Sequence, residues 1–254
     1  MALDFDFELD LHSATGPSWH EVVAEIVTSC RRRAPRGGLL DIPGAVGVLS
    51  GAAPVVWAFG DAEADEVVGA VAASDVDEIY VQERQAALAD RLDRNGWSAD
   101  GRMTQVARTI ATTHDDDVDE RVRDLRSADL PVVRRALVAW AGCDERVIAA
   151  SYPDTFFTDA APVSLMGVST DDGEIVGIVG VRRQVLSSML FALAVHPEHR
   201  HSRLARLLVE SAVRQAHLQG SRFVHAQATG AGAGVLRACG FTPVGTWRRL
   251  VRAA

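Results

Sequence analysis

The spacing of apolar and polar positions changes repeatedly along this 254-residue chain, and each change marks an element. The second half is the more regular. Arg121 to Arg126 sets Val122 and Leu125 among charges, which predicts a short first strand. Ser127 or Asp129 can cap a helix with Pro131 in its first turn, and Val132, Val133, Ala136, Leu137 and Trp140 recur at helical spacing. Pro162 to Ser169 predicts a strand, Asp171-Asp172-Gly173 a hairpin turn, and Glu174 to Val181 the returning strand. Met189 to Val195 is almost unbroken apolar sequence, as expected of a central strand covered on both faces. After Pro197 comes a helix with Leu204, Leu207, Leu208 and Ala212 on one face, stopping at Gly220. Arg222 to Ala228 reads as a strand, Val235 to Cys239 as a short helix, and Thr242 to Val251 as a closing strand.

The first half is less periodic. Asp4 to Leu11 alternates acidic and apolar residues, and Trp19 to Arg33 reads as an amphipathic helix. From Pro54 the order is strand (to Phe59), helix (Ala62 to Ala73), strand (Glu78 to Gln82), helix (Arg84 to Arg94) and strand (Met103 to Ile110). Gly96-Trp97 stands before the last strand, as Gly240-Phe241 stands before the closing strand of the second half. The same order of elements from Met189 onward makes this a weak internal repeat. An acidic run from Thr112 to Glu120 separates residues 1–114 from residues 120–254, which we take as two domains.

Charge adds to this division. Residues 1–120 carry a net charge of −14 and residues 121–254 carry +6. No aromatic-interleaved basic stripe or zinc-finger spacing supports nucleic-acid binding, and a small anionic ligand accounts for the positive half equally well. All 26 basic residues are arginine, which removes lysine chemistry such as a Schiff base or a Walker A loop. Cys30, Cys143 and Cys239 are odd in number and far apart, so neither a disulfide framework nor a cysteine metal site is expected. No apolar stretch reaches the roughly 20 residues of a membrane helix, and the acidic start MALDFDFELDLH is unlike a secretory signal. The expected setting is cytoplasmic, without membrane or metal, as a monomer or homodimer.

The segment from Leu193 to Leu208 carries the chemistry: a buried strand ends, a tight loop follows, and a helix opens toward the strand's end. Free amides and the helix dipole there favour an anion. Arg200, Arg203 and Arg206 add positive charge suited to phosphates. An ordinary strand–loop–helix connection with a solvated basic face would read the same way.

Arg200-His201-Ser202-Arg203-Leu204-Ala205 resembles the coenzyme loop of the GNAT N-acetyltransferase superfamily, Arg/Gln-x-x-Gly-x-Gly/Ala, at its first and last positions. The resemblance covers roughly residues 121–254. It implies an α/β (α+β) fold with a mixed central sheet flanked by helices, in tandem with a degenerate copy of that fold at the N-terminus. It further implies that the backbone of Leu193, Ala194 and Val195 pairs with the pantetheine arm of acetyl-CoA, the cosubstrate. The amides of His201, Ser202, Arg203, Leu204, Ala205 and Arg206 then hold its pyrophosphate.

Three positions depart from the family. The usual glycine is Arg203, which either binds or crowds the pyrophosphate; the usual tyrosine acid is Leu236; and the usual coenzyme-contacting asparagine is Thr229. Thr229 heads the run Gly230 to Gly234, either a ligand loop or a plain turn. The chemistry implied is direct attack of an amine on the thioester, with a base, an oxyanion donor and an acid. His225 and His196 are the candidate bases, each with an ordinary structural role as its alternative. Tyr152 either lines the acceptor pocket, acts as acid, or packs. The function expected is an acyl-CoA-dependent N-acyltransferase acting on a small-molecule amine. The alternative is an inactive relative that binds a ligand or partner. The first half lacks the loop and has Gly-Asp-Ala-Glu-Ala-Asp-Glu in its place, which would repel phosphate.

Overall fold

A computed structural model of the chain describes residues 16–34, 37–49, 54–60, 62–110, 119–154, 156–157 and 163–252. The alternating segment Asp4 to Leu11, most of the acidic run after Thr112, and Pro162 lie outside these residues. In the first half α1 (Trp19–Arg33) precedes a meander of β1 (Leu39–Ile42), β2 (Ala45–Val48) and β3 (Val55–Ala58). Then come α2 (Ala64–Ala72), β4 (Glu78–Gln82), α3 (Ala86–Asp93) and the long β5 (Trp97–Thr109). The second half runs β6 (Val122–Asp124), α4 (Leu130–Ala141), α5 (Glu145–Ser151), β7 (Val163–Ser169), β8 (Ile175–Arg183) and β9 (Ser187–Val195). It closes with α6 (Leu204–Leu218), β10 (Phe223–Ala228), α7 (Gly230–Ala238) and β11 (Thr242–Arg252).

Local chemistry explains several boundaries. Ser18 and Glu21 form a reciprocal capping box that starts α1. Gly142, left-handed at φ 69°, ends α4. Gly173 at φ 83° turns the β7–β8 hairpin where Asp171-Asp172-Gly173 predicts it. Three expectations need correction. β5 starts at Trp97 instead of Met103, because its first residues pair with the end of β11. The short strands β1 and β2 and the short helix α5 were not expected at all. The glycine run is neither loop nor turn but the opening of α7, held despite poor propensity by Leu236 and Cys239 in the core and Ala233 and Val235 packed against it.

All eleven strands form one sheet in the order β1-β2-β3-β4-β11-β5-β10-β9-β8-β7-β6. The sequence boundary near residue 114 therefore does not divide two sheets. Each half gives its last strand to the other: β11 lies against β4, β5 lies against β10, and the two pair antiparallel at the centre. Outward from that pair the pattern repeats. β4 and β10 are antiparallel to the exchanged strand, and β3 and β9 are parallel to β4 and β10. This is a two-fold repeat about the β5–β11 pair, the structural form of the weak sequence repeat. Residues from α1, α4 and α5 pack on one face of the sheet, and those of α2, α3, α6 and α7 on the other. Among the described residues no helix is long and apolar enough to cross a membrane.

Side chains fasten the exchange. Arg108 on β5 donates to Cys239 O at 2.7 Å and to Glu210 Oε2 at 2.9 Å, both in the second half. Glu25 of α1, 4% exposed, accepts from the amides of Val185 and Leu186 and from Ser187 Oγ in the β8–β9 hairpin. A fragment of residues 120–254 would lose β5 from between β10 and β11 and leave their amides unpaired. Expressed alone, it should show no cooperative thermal unfolding. Co-expressed with residues 1–119, it should recover a single transition. A fragment that melts cooperatively by itself would show that the exchanged strand is dispensable.

Candidate functional site

β9 and β10 begin parallel and then part. Their paired residues run from Phe223 opposite Ser187 to Ala226 opposite Leu190, yet β9 continues to Val195 and β10 to Ala228. Beyond Leu190 the β10-facing edge of β9 is open. A bulge accompanies the parting: on β8, Ile178 pairs with Ala194 but Gly180 pairs with Phe191, so one residue of β8 faces two of β9. Ala192 in the bulge takes φ 54°, a strained left-handed backbone for an alanine. The His196 amide donates to Val176 O on β8, so by alternation the Val195 amide points the other way, into the gap. Leu193, Ala194 and Val195 thus form one wall of an open V.

Both arms of the V end at helix N-termini. β9 leads through the short 3-10 turn of Pro197–His199 to α6, and β10 leads through Thr229 directly into α7. Among the described residues, none of the amides of residues 201–206 is bonded to a backbone carbonyl; the first helical bond is from the Leu207 amide to Arg203 O. These donors, with the positive ends of two helix dipoles, suit a polyphosphate anion. The loop gains its shape from left-handed residues at His201 (φ 66°) and Arg203 (φ 64°). Arg203 therefore occupies the conformation a glycine would favour, at a strain cost of about 1–2 kcal/mol. Its side chain is exposed, as is that of Arg206. Arg200 is used differently: it donates to Trp140 O at 2.7 Å and toward Val195 O at 3.4 Å, tying the loop to α4 and β9. That leaves Arg203 and Arg206 as the loop arginines suited by charge and exposure to an anion. Ser202 Oγ donates to His199 O within the loop. Leu204 is buried in the core beneath it, and Ala205 packs against that core. Thr229 caps α7 without a side-chain bond and is exposed.

The candidate base His225 does not reach this opening. It is 1% exposed, one residue before the strands part, and both ring nitrogens are engaged. The Trp247 indole can only donate, so Gln105 must turn Oε1 toward it (3.1 Å) and Nε2 toward Ala226 O (3.0 Å) and His225 Nδ1 (3.1 Å). Nδ1 is therefore the acceptor, and Nε2 carries the proton that it donates to Gln184 Oε1 at 2.6 Å. Burial holds the imidazole neutral, its pKa pushed down to about 4. Its surroundings make His225 a link across the exchanged strands: Gln105 and Glu25 belong to the first half, and Gln184, Ser187 and Trp247 to the second.

His196 is half-buried at the end of β9. Its Nδ1 accepts from the Glu198 amide at 3.3 Å, and its ring stands edge-on to Trp140 at 5.3 Å. At about 3.3 Å per strand residue it lies roughly 10 Å beyond the bulge. Tyr152 is 7% exposed and packs in an aromatic group with Phe156 (centroids 4.9 Å apart) and Phe191 (6.4 Å) on the face of the sheet under α4. Burial holds its phenol protonated far above the usual tyrosine range, despite the nearby Arg182. Leu236 is 2% exposed in the core, so the usual acid position supplies no hydroxyl. The structure thus gathers Leu193 to Arg206 and Thr229 around the V and Tyr152 beside it, and leaves His225 in the seam. Sequence spacing missed Phe191 and the Gln105–His225–Gln184 network, because their partners lie far apart in the chain.

Among the described residues the first half has no such opening. β3 remains paired with β4 to its last residue, Ala58 opposite Val81. Past that point Gln82 Oε1 accepts from the Gly60 amide at 3.3 Å and Gln85 donates to Gly60 O, so side chains stitch the equivalent strands together. The helix that follows, α2, has Asp65 and Glu66 in its first turn. Among the described residues no group of His, Cys, Asp and Glu is arranged to hold a metal ion.

Comparison with known proteins agrees with this geometry. Residues 163–243 match the family described as "Acetyltransferase (GNAT) domain". The fold is similar to a GCN5-related N-acetyltransferase from Kribbella flavida, at TM-score 0.64 and 16% identity over 91% of this chain and 96% of that one. It is similar to a tandem GNAT protein from the clavulanic acid biosynthesis pathway, at TM-score 0.54 and 14% identity over 94% and 98%. It is also similar to Saccharomyces cerevisiae N-myristoyltransferase, solved with bound myristoyl-CoA, at TM-score 0.51 and 11% identity over 84% and 63%. A search of curated protein sequences finds no significant match.

The state of His225 gives a pH dependence. Its folded pKa of about 4 lies below the ordinary 6.5, so between those values the unfolded chain binds a proton that the folded chain does not. The contribution, about 3 kcal/mol, is fully present above pH 6.5 and lost as pH falls through about 4. Urea unfolding at several pH values should show stability rising from pH 4 to 6.5, and His225→Gln should flatten that rise. An unchanged slope in the variant would assign the acid sensitivity to carboxylates instead.

Proposed function

We propose that this chain, whose C-terminal part carries a GNAT acetyltransferase domain, transfers an acyl group from acyl-CoA, acetyl in the simplest case, to a small-molecule amine. The observation that carries the reading is the single parting of β9 and β10, with a helix N-terminus at the end of each arm. The coenzyme's phosphates are then taken by the amides of residues 201–206 with Arg203 and Arg206, and its arm by the open edge of Leu193 to Val195. The acidic first half, with a net charge of −14 over residues 1–120, favours a cationic acceptor.

In the transfer the amine nitrogen bonds to the thioester carbon, the carbon–sulfur bond breaks, and the amine loses a proton. An amide at the bulge donates to the carbonyl oxygen as its charge rises. Neither histidine offers an open basic nitrogen near the bulge, since Nδ1 of each already accepts a hydrogen bond. The amine proton therefore leaves to water. The departing thiolate takes its proton from water, since the Tyr152 ring is buried in its packing against Phe156 and Phe191.

Titration calorimetry of the full chain with acetyl-CoA should give one site per chain. Arg203→Ala should weaken that binding by roughly one to two decades, as expected for loss of one charge-assisted contact. Arg203→Gly removes the same charge while relieving the left-handed strain, so tighter binding in that variant would show the arginine to be an obstruction. Two sites per chain, or none, would contradict the reading. A binding-only protein would bind acetyl-CoA yet release no CoA thiol with any amine offered. With an acceptor in hand, His225→Gln and His196→Gln should both keep near-normal kcat/KM when assayed above pH 7. A large loss confined to one variant would restore histidine as the base.

A further inference from the structure

We propose that Phe191 sets the length of the acyl chain the site accepts and restricts it to short chains; the inference rests on the acyl-CoA reading above. Phe191 is the first residue of β9 beyond its last pair with β10, and it immediately precedes the bulge at Ala192. It therefore flanks the stretch of β9 where backbone amides face the gap. Behind it, on β8, stands Gly180. A Cβ there would lie 2.4 Å from Phe191 Cζ, so the ring rests directly on the glycine backbone. The Arg182 guanidinium lies 5.3 Å from the ring centroid, and the Tyr152 ring lies 6.4 Å away.

An acyl tail whose carbonyl is held at the bulge has two directions to take. The face under α6 is filled by core, with Leu190, Leu204 and Leu208 at 8% exposure or less. The face under α4 is the remaining direction, and there Phe191 is half-buried with one flank open while Tyr152 behind it is buried. A methyl or ethyl group can lie against that flank. A longer chain meets the ring, which cannot retreat, because Gly180 and Tyr152 already touch its other sides. Glycine at position 180 is what gives the ring this seat, and a larger residue there would push it into the gap.

The test uses the full chain and calorimetric titration with CoA, acetyl-CoA, propionyl-CoA, butyryl-CoA and hexanoyl-CoA. The wild type should bind the first three with similar affinity and lose at least tenfold by hexanoyl-CoA. Phe191→Ala should reverse the order. Each methylene that enters the vacated space is worth up to about a factor of four, and affinity for CoA itself should not change. Phe191→Leu keeps the site filled by a smaller side chain, should fall between the two, and carries the same test if the alanine variant does not fold. A wild-type profile flat in chain length, or variants that lose CoA and every thioester in parallel, would overturn the proposal. Failure of the wild type to bind CoA at all would instead remove the acyl-CoA reading on which it rests.

Discussion

The antiparallel pairing of β5 with β11 is the constraint on which the rest of the molecule depends. Each is the last strand of its own half, and each is inserted into the other half's sheet. Strand pairing satisfies backbone donors that would otherwise be buried without partners, so neither half can complete its hydrogen bonding alone. The exchange also decides which strand edges are left to open. β10 gains β5 along one edge, which leaves its other edge to β9, and that second pairing stops at Ala226. Its counterpart in the first half, β4, likewise gains β11, yet its pairing with β3 runs to the end of β3. One repeat is open and the other is shut within the same architecture.

Polar burial at the seam is consistent with that role. Trp247, Gln105, His225, Gln184, Ser187 and Glu25 form a chain of buried hydrogen bonds that crosses between the halves. Each group is satisfied by a specific neighbour, so any shift in strand register would leave a buried donor or acceptor orphaned, at about 1–3 kcal/mol apiece. The donor-only indole of Trp247 fixes the orientation of Gln105, and that fixes the protonation of His225. A histidine that looked available for proton transfer is in this way committed to alignment. Its neutral state belongs to the fold.

Much of the second half was legible in the sequence. Alternation, the Asp-Asp-Gly turn, the apolar run of the central strand and the helix after Pro197 each report a local constraint, and the boundaries agree within a few residues. Local signals could not show the strand exchange, because pairing of β5 with β10 joins residues more than a hundred positions apart. Nor could they tell that the glycines from Gly230 begin a helix, since packing of Leu236 and Cys239 overrides their poor propensity. At the site, the loop was recognisable from its arginines and the strand that precedes it. The role of Arg200, which ties the loop to Trp140, depends on a helix 60 residues earlier. The division of labour between His225 and open solvent likewise depends on burial, which a lone strand histidine does not announce.

The central claim is that the chain holds a coenzyme only where β9 and β10 part. Amide hydrogen exchange with and without saturating CoA tests it directly, because the donors concerned are backbone amides. The account predicts added protection at Leu193 to Val195 and at residues 201–206, with no change between Phe59 and Glu66. Protection of the first-half segment, or no protection at residues 201–206, would contradict it.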